Sequence, residues 1–286
     1  MIKKISIETE EGTYAGDMVF TPNLPPPPPP SVDRKYIMLN CINWSLFTAH
    51  DFENITEATY FVLLVSKEGT LYGAGDTSEK YFVEQVRLAG CKATFSVGGG
   101  TQSIPDITTA VTTNATKFIL NICQHIKQFG YDGITIDIEN TNIPAQAMAD
   151  FVRLLRIAMD NIKLGLIIGI YTQPFQLNTV WAKIQDSAQY FTWISPMLYD
   201  AGVYDREDWI AYTNNWLPRV NGDKSKLLAG LAINYPSWAG GLNEIQYAEM
   251  LDVTNEQGWG GAGIWQHALY RQPFKDIQKA KFPVIL

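Results

Sequence analysis

The sequence predicts one (β/α)8 (TIM) barrel without a large insertion domain, preceded by a short leader and a polyproline spacer. Three observations carry that expectation. Short apolar or β-branched runs alternate with amphipathic stretches, the pattern of repeated βα units around a parallel sheet. Eight such runs lie from Tyr36 onward, the strand number that closes this barrel. The span 36–286 has the length of about 250 residues typical of the fold. Residues 1–35 are then leader and Pro-rich linker, with no room for a second domain.

In the leader, Ile5, Ile7 and Thr9 alternate weakly, and Pro25 to Pro30 form an unbroken run that favours an extended spacer. An inert linker is the plainer reading of that run; a docking arm for a proline-reading partner is the sharper one. The expected strands are 36–43, 60–66, 93–98, 133–139, 165–171, 193–199, 227–234 and 261–266. Between them, residues 78–88, 114–129, 144–162, 205–216 and 243–257 read as helices. Gly90, Gly130, Gly165 and Gly258 stand just past helical stretches, where a left-handed residue closes a helix. After Asn43 the chain turns mostly polar, so the first helix should be short or irregular. Only a short segment, Pro236 to Gly241, intervenes between the seventh strand and the next helix, which predicts a shallow, open groove.

Composition narrows the function. Hydrophobic residues are 46% and charged residues 18%, ample for a core and far from a disordered composition. A formal charge of -7 opposes general attraction to nucleic acid or anionic lipid and suits a neutral substrate. Eight Trp, fourteen Tyr and thirteen Phe supply flat faces of the kind that sit beneath sugar rings, although most belong in a core. Cys41, Cys91 and Cys123 are widely spaced and form neither a disulfide framework nor a zinc pattern. Met1 to Gly12 has no apolar segment behind Lys3 and Lys4, so no signal peptide is expected and secretion would need a non-standard route. The apolar runs are strand-sized, too short to cross a membrane as helices.

The chemistry concentrates in Tyr131 to Asn140, where Ile alternates with polar residues. Side chains two apart share a face of a strand, so Thr135, Asp137 and Glu139 point into the barrel while Ile134, Ile136 and Ile138 meet the helices. Asp137 and Glu139 fall at the C-terminal end, where barrels of this type gather their catalytic groups. Two neighbouring carboxyls cannot both ionise freely, and one with a raised proton affinity can protonate a leaving sugar oxygen. A structural hydrogen-bond cluster and a divalent-metal site are the other readings of that spacing.

Asp132-Gly133-x-x-x-Asp137-x-Glu139 resembles the DGxDxDxE signature of the family 18 glycoside hydrolases, the chitinases and endo-β-N-acetylglucosaminidases. Ser96-Val97-Gly98-Gly99 is similar to that family's SxGG on the third strand, Met197-Leu198-Tyr199-Asp200 to its MxYD on the sixth, and Gly263-Ile264-Trp265 to its eighth strand. The resemblance spans 36–266 and implies substrate-assisted, retaining hydrolysis of chitin, chitooligosaccharides or another N-acetylglucosamine glycan, without metal or organic cofactor. By carry-over Glu139 protonates the leaving oxygen and Asp137 orients the substrate's acetamide. Tyr199 then bonds the acetamide carbonyl, Trp265 floors the site, and Asp200 and Met197 line the same subsite. Asp132, Thr135 and Ser96 are supporting residues. One departure stands out: Thr135 occupies the place of the family's middle Asp and cannot hold a charge.

Two alternatives accompany the hydrolase. A non-catalytic lectin-like barrel would be expected to lose the residue matched by Glu139, which is present here. A metal-dependent hydrolase needs His or further carboxylates at strand ends, and His50, His125 and His267 are scattered, with surface or packing roles. Gly98-Gly99-Gly100 lacks the spacing and lysine of a nucleotide loop and reads as a close-packed turn.

Overall fold

Alternation along each strand, one side chain inward and the next outward, builds two separate cores. The computed structural model describes residues 7–9, 12–14, 35–42, 47–73, 75–139, 142–201, 205–233 and 241–282. The proline run and residues 234–240, on which the expected spacer and open groove depend, lie outside the described residues. A short antiparallel hairpin, Ile7–Thr9 with Gly12–Tyr14, is described in the leader.

Eight strands close one parallel ring: β1 (Tyr36–Ile42), β2 (Glu57–Val65), β3 (Lys92–Gly98), β4 (Gly133–Asp137), β5 (Ile167–Thr172), β6 (Trp193–Pro196), β7 (Leu228–Ile233) and β8 (Gly261–Trp265). Consecutive strands pair from β1 to β6, β7 pairs with β8, and β8 returns to β1. Bridges from Ile194 to Leu227 and from Met197 to Gly230 complete the ring between β6 and β7. Among the described residues seven helices surround it: α1 (Asp76–Leu88), α2 (Ile104–Thr112), α3 (Ala115–Phe129), α4 (Ala145–Ile162), α5 (Arg206–Asn214), α6 (Glu244–Gln257) and α7 (Gln272–Lys281). After β1 the described chain forms only a 3-10 turn, Ala49–Phe52, as the polar composition there predicts. After β5 the crossover is likewise made of 3-10 turns, Pro174–Asn178 and Ile184–Tyr190.

Local chemistry explains the boundaries. Asn243 caps α6, its side chain accepting from the Gln246 amide while Gln246 reaches back, and Asp205 caps α5 through the Asp208 amide. All four glycines expected to close helices have positive φ. The expected helix 205–216 stops at Asn214, followed by a 3-10 turn containing Pro218, which has no N–H to continue the helix. Strand β2 begins at Glu57, three residues before the expected start, and β4 ends at Asp137, so Glu139 stands beyond the strand. Helices α2 and α7 were not expected.

Outside the ring, Ile134, Ile136 and Ile138 are buried in the core shared with the helices. That core also takes Trp181, Trp209, Trp216 and Trp259, each of which contributes about 1.5–3 kcal/mol or more on burial. Inside the ring a smaller cluster forms from Met38, Ile167, Tyr171, Trp193, Met197 and Leu228. Gly133 lets β4 approach β5: its φ is +156°, and a Cβ there would stand 2.2 Å from the Ile167 carbonyl oxygen. The glycine after Asp132 is thus required by packing. The three cysteines are buried and unpaired with one another.

Candidate active site

The C-terminal ends of the strands surround a cavity of about 210 Å³. Asp137, Glu139, Met197, Tyr199 and Trp265, expected from the sequence to act together, all line it although they come from three separate parts of the chain. Asp137 is 3% exposed and ends β4. Glu139, two residues on, is half-buried beyond the strand and still reaches the same space.

The triple glycine turn after β3 gives both carboxyl groups room. Gly98 has φ +111°, and a Cβ there would fall 2.1 Å from the Asp137 carbonyl oxygen; the Gly99 N–H donates to that same carbonyl at 2.7 Å. A Cβ on Gly99 would press on the Phe61 ring at 3.2 Å and lie 3.8 Å from Asp137 Oδ2, and one on Gly100 would crowd Glu139, 3.3 Å from its Oε2. The sequence Gly98 to Gly100 is therefore the close-packed turn expected, with a wall of bare backbone facing the acids.

Glu139 is anchored from β5. The Gln173 side-chain amide donates to Glu139 Oε2 at 3.0 Å. The turn carrying Gln173 is fixed by the fully buried Gln176, which donates to the Ile138 carbonyl at 2.8 Å and accepts from the Gln173 N–H at 3.0 Å and the Trp181 indole at 3.3 Å. This linkage ties β4 and β5 together around the acid.

Directly below Asp137 the lumen is lined by uncharged polar groups. Ser96 and Thr135 are register partners on β3 and β4; both are fully buried, and neither hydroxyl has a hydrogen-bond partner. Across the ring, the Asn40 amide donates to the Tyr171 hydroxyl at 2.6 Å, and that hydroxyl faces Met38 Sδ at 2.6 Å. Burial pushes the Tyr171 phenol well up from its ordinary value, with the Glu57 and Asp137 charges adding to the shift, so it stays neutral at any working pH. Trp265 packs edge-on against Phe61, with ring centroids 4.6 Å apart.

Sequence reasoning missed Asn40, Phe61, Tyr171 and Gln173. Asn40 and Tyr171 lie at the C-terminal ends of inward-facing alternations, the one signal that could have found them. Asp132 lies apart from the cavity, at the opposite end of β4: its Oδ2 accepts from the Ala93 N–H at 3.2 Å, and Lys92 and Lys163 stand 3.9 and 3.5 Å from Oδ1. Asp200 belongs to the 3-10 turn Leu198–Ala201, but its side chain, like that of His267, lies outside the described residues. His50 is exposed beside Glu53, and His125 packs between helices on Glu79. Among the described residues no group of three or more His, Cys, Asp and Glu could hold a metal ion.

Known structures share this architecture. A chitinase from Bacteroides thetaiotaomicron superposes with a TM-score of 0.71 at 16% identity, over 85% of this chain and 93% of the other. The Bacillus cereus spore cortex-lytic enzyme SleL gives 0.72 at 15% identity, covering 88% and 76%. An Ostrinia furnacalis Group IV chitinase in complex with allosamidin gives 0.68 at 14% identity, covering 86% and 98%. At such identities these likenesses speak for the fold alone. No curated protein sequence matches the chain. The family model described as "Glycosyl hydrolases family 18", by contrast, matches residues 43–278, from the end of β1 into α7. The chain therefore belongs to glycosyl hydrolase family 18 and is a hydrolase of O-glycosyl bonds.

Proposed function

We propose that this enzyme hydrolyses β-1,4-linked N-acetylglucosamine in chitin or chitooligosaccharides, by a substrate-assisted, retaining mechanism with Glu139 as general acid. The observation that carries the reading is the convergence of Asp137, Glu139, Tyr199 and Trp265 on one cavity at the strand ends. Glu139 gives its proton to the leaving oxygen as the C1–O bond breaks, while the substrate's acetamide oxygen closes on C1 to form an oxazolinium ion. Asp137 accepts from the acetamide N–H and offsets the positive charge, and Tyr199 bonds the acetamide carbonyl. Water then adds to C1 and returns a proton to Glu139, so configuration is retained.

Product release from N-acetylglucosamine tetramer and hexamer, measured beside Glu139→Gln from acidic to mildly alkaline pH, tests this directly. The variant should lose about 10²–10⁴ in rate, the usual worth of a general acid, and the first product formed should be the β-anomer by NMR. Equal hydrolysis by both proteins would remove Glu139 from the role. The uncharged Thr135 favours one other reading, a lectin-like barrel; binding of the oligomers without cleavage by the unaltered protein would select it.

A further inference from the structure

Under the cavity the lumen holds another carboxyl group. Glu57 opens β2 and is fully buried. Its Oε1 accepts from the hydroxyls of Thr94 at 2.5 Å and Thr59 at 3.4 Å, and its Oε2 from the Tyr36 phenol at 2.5 Å and the Trp193 indole N–H at 3.0 Å. The Thr59 and Thr94 hydroxyls also bond each other at 2.8 Å; hydrogen bonds received on both oxygens favour the ionised carboxylate, which accepts at every lone pair. Burial pushes the Glu57 carboxyl up, and these hydrogen bonds pull it back.

None of the four donors carries a charge. Lys92, the register partner of Glu57 on β3, has an exposed side chain and stands 3.9 Å from Asp132. The titratable groups facing Glu57 are the phenols of Tyr36 on β1 and Tyr171 on β5. Both are pushed well up, by burial first and by the Glu57 charge second. Among the described residues no cation therefore cancels the Glu57 charge within the lumen.

Its nearest acidic counterparts upward are the site carboxyls. Tyr171 lies between, as the register partner of Asp137, and its phenol feels both Glu57 and Asp137. Thr94, bonded to Glu57, is level with Gly133, and Asp137 is four residues further along β4. At ~3.3 Å per residue the separation is roughly 13 Å. Thr135, midway, offers no charge.

We propose that Glu57 is a positioning residue that acts through its charge: a fixed anion at the barrel floor that raises the proton affinity of the Asp137–Glu139 pair and so holds the general acid in its protonated form. Unit charges ~13 Å apart at an effective dielectric of ~20 correspond to about one pH unit at Asp137, and at Glu139, two residues and ~7 Å further on, to roughly half a unit. The inference rests on the preceding reading only in giving Glu139 the part of the acid.

Glu57→Gln removes the charge and keeps the shape. The alkaline limb of kcat/KM on the N-acetylglucosamine hexamer should move roughly half to one unit to lower pH, and Glu57→Asp should return it toward the original position. A folded Glu57→Gln protein with an unmoved limb overturns the proposal. Carboxyl 13C NMR titration supplies a readout free of turnover: the midpoints of Asp137 and Glu139 should fall in Glu57→Gln whether or not the protein cleaves chitooligosaccharides. A protein without hydrolase activity but with shifted midpoints would refute the preceding reading and sustain this one; an active protein with fixed midpoints would do the reverse. Should Glu57→Gln fail to fold, the resonance of Glu57 in the unaltered protein decides, because a Glu57 still protonated at the pH of activity is fatal to the idea.

Discussion

Gly169→Ala is the sharpest test of the lumen. Gly169 sits in β5 as register partner of Trp193 in β6. A Cβ added there would stand 2.1 Å from Cζ2 and 2.5 Å from Cε2 of the indole, against ~3.5–4.0 Å for an ordinary carbon contact. Neither side has room to retreat. Gly169 is also register partner of Thr135 in β4, and the indole is 2% exposed and donates to Glu57. Overpacking of this kind costs roughly 1–3 kcal/mol. Turning the indole aside would strip a donor from a buried carboxylate, about 1–3 kcal/mol more. Together these terms come to about 2–6 kcal/mol, and at ~2–4 °C per kcal/mol for domains approaching this size Tm should fall by roughly 4–24 °C. Thermal melts at neutral pH would read this, with Trp193→Leu and the double variant alongside. Because the two side chains contend for one space, the double variant should be more stable than additivity requires, by at least about 1 kcal/mol. A Gly169→Ala protein melting with the wild type, or a strictly additive cycle, would refute an indole spanning the lumen.

Further expectations follow from the same geometry. Gln173→Ala removes an anchor from Glu139 worth about 1 kcal/mol, so kcat should fall ~5-fold with KM nearly constant; a raised KM alone would assign Gln173 to the substrate instead. Thr135→Val discards a buried hydroxyl without a partner and should stabilise the fold by about 1 kcal/mol, an expectation that a lowered Tm contradicts. The Glu57 carboxyl is pushed up from an ordinary value near 4.5, so the folded state binds its proton more tightly than the unfolded chain does. That contribution favours the fold below the ordinary value and is lost as pH rises through the raised one. The stability of the wild type relative to Glu57→Gln should therefore decline across that window, and a flat difference would count against it. Burial pushes the Cys91 and Cys123 thiols up to about 11 and the Cys41 thiol well up from its ordinary value. Native protein at pH 8 should resist a thiol reagent that labels all three after denaturation, whereas rapid native labelling would deny their burial.

The eight strands were legible because buried parallel strands read as apolar or alternating runs, and the helix-closing glycines because few other residues take positive φ. The start of β2 was hidden: Glu57-Ala58-Thr59 looks polar, and only the donors around Glu57 make its burial tolerable. Helix α2 was hidden by Thr108, Thr109 and Thr112, poor helix formers whose hydroxyls bond back to the carbonyls of Ile104, Pro105 and Thr108. Site residues on recognisable strand-end motifs could be named. Asn40 and Tyr171 were signalled only by their place on inward-facing alternations; the bond between them joins positions 131 apart in the chain, and only the closing of the ring brings them together.

The same closing makes the cavity a cul-de-sac: Trp193 reaches from β6 to Glu57 on β2, and Ile167 and Leu228 help fill the lumen around it, so among the described residues no passage continues through the barrel. A ligand that reaches Asp137 must leave by the mouth through which it came. On the proposed reading, a chitooligosaccharide reaches Asp137 from the strand ends and is not threaded through the ring.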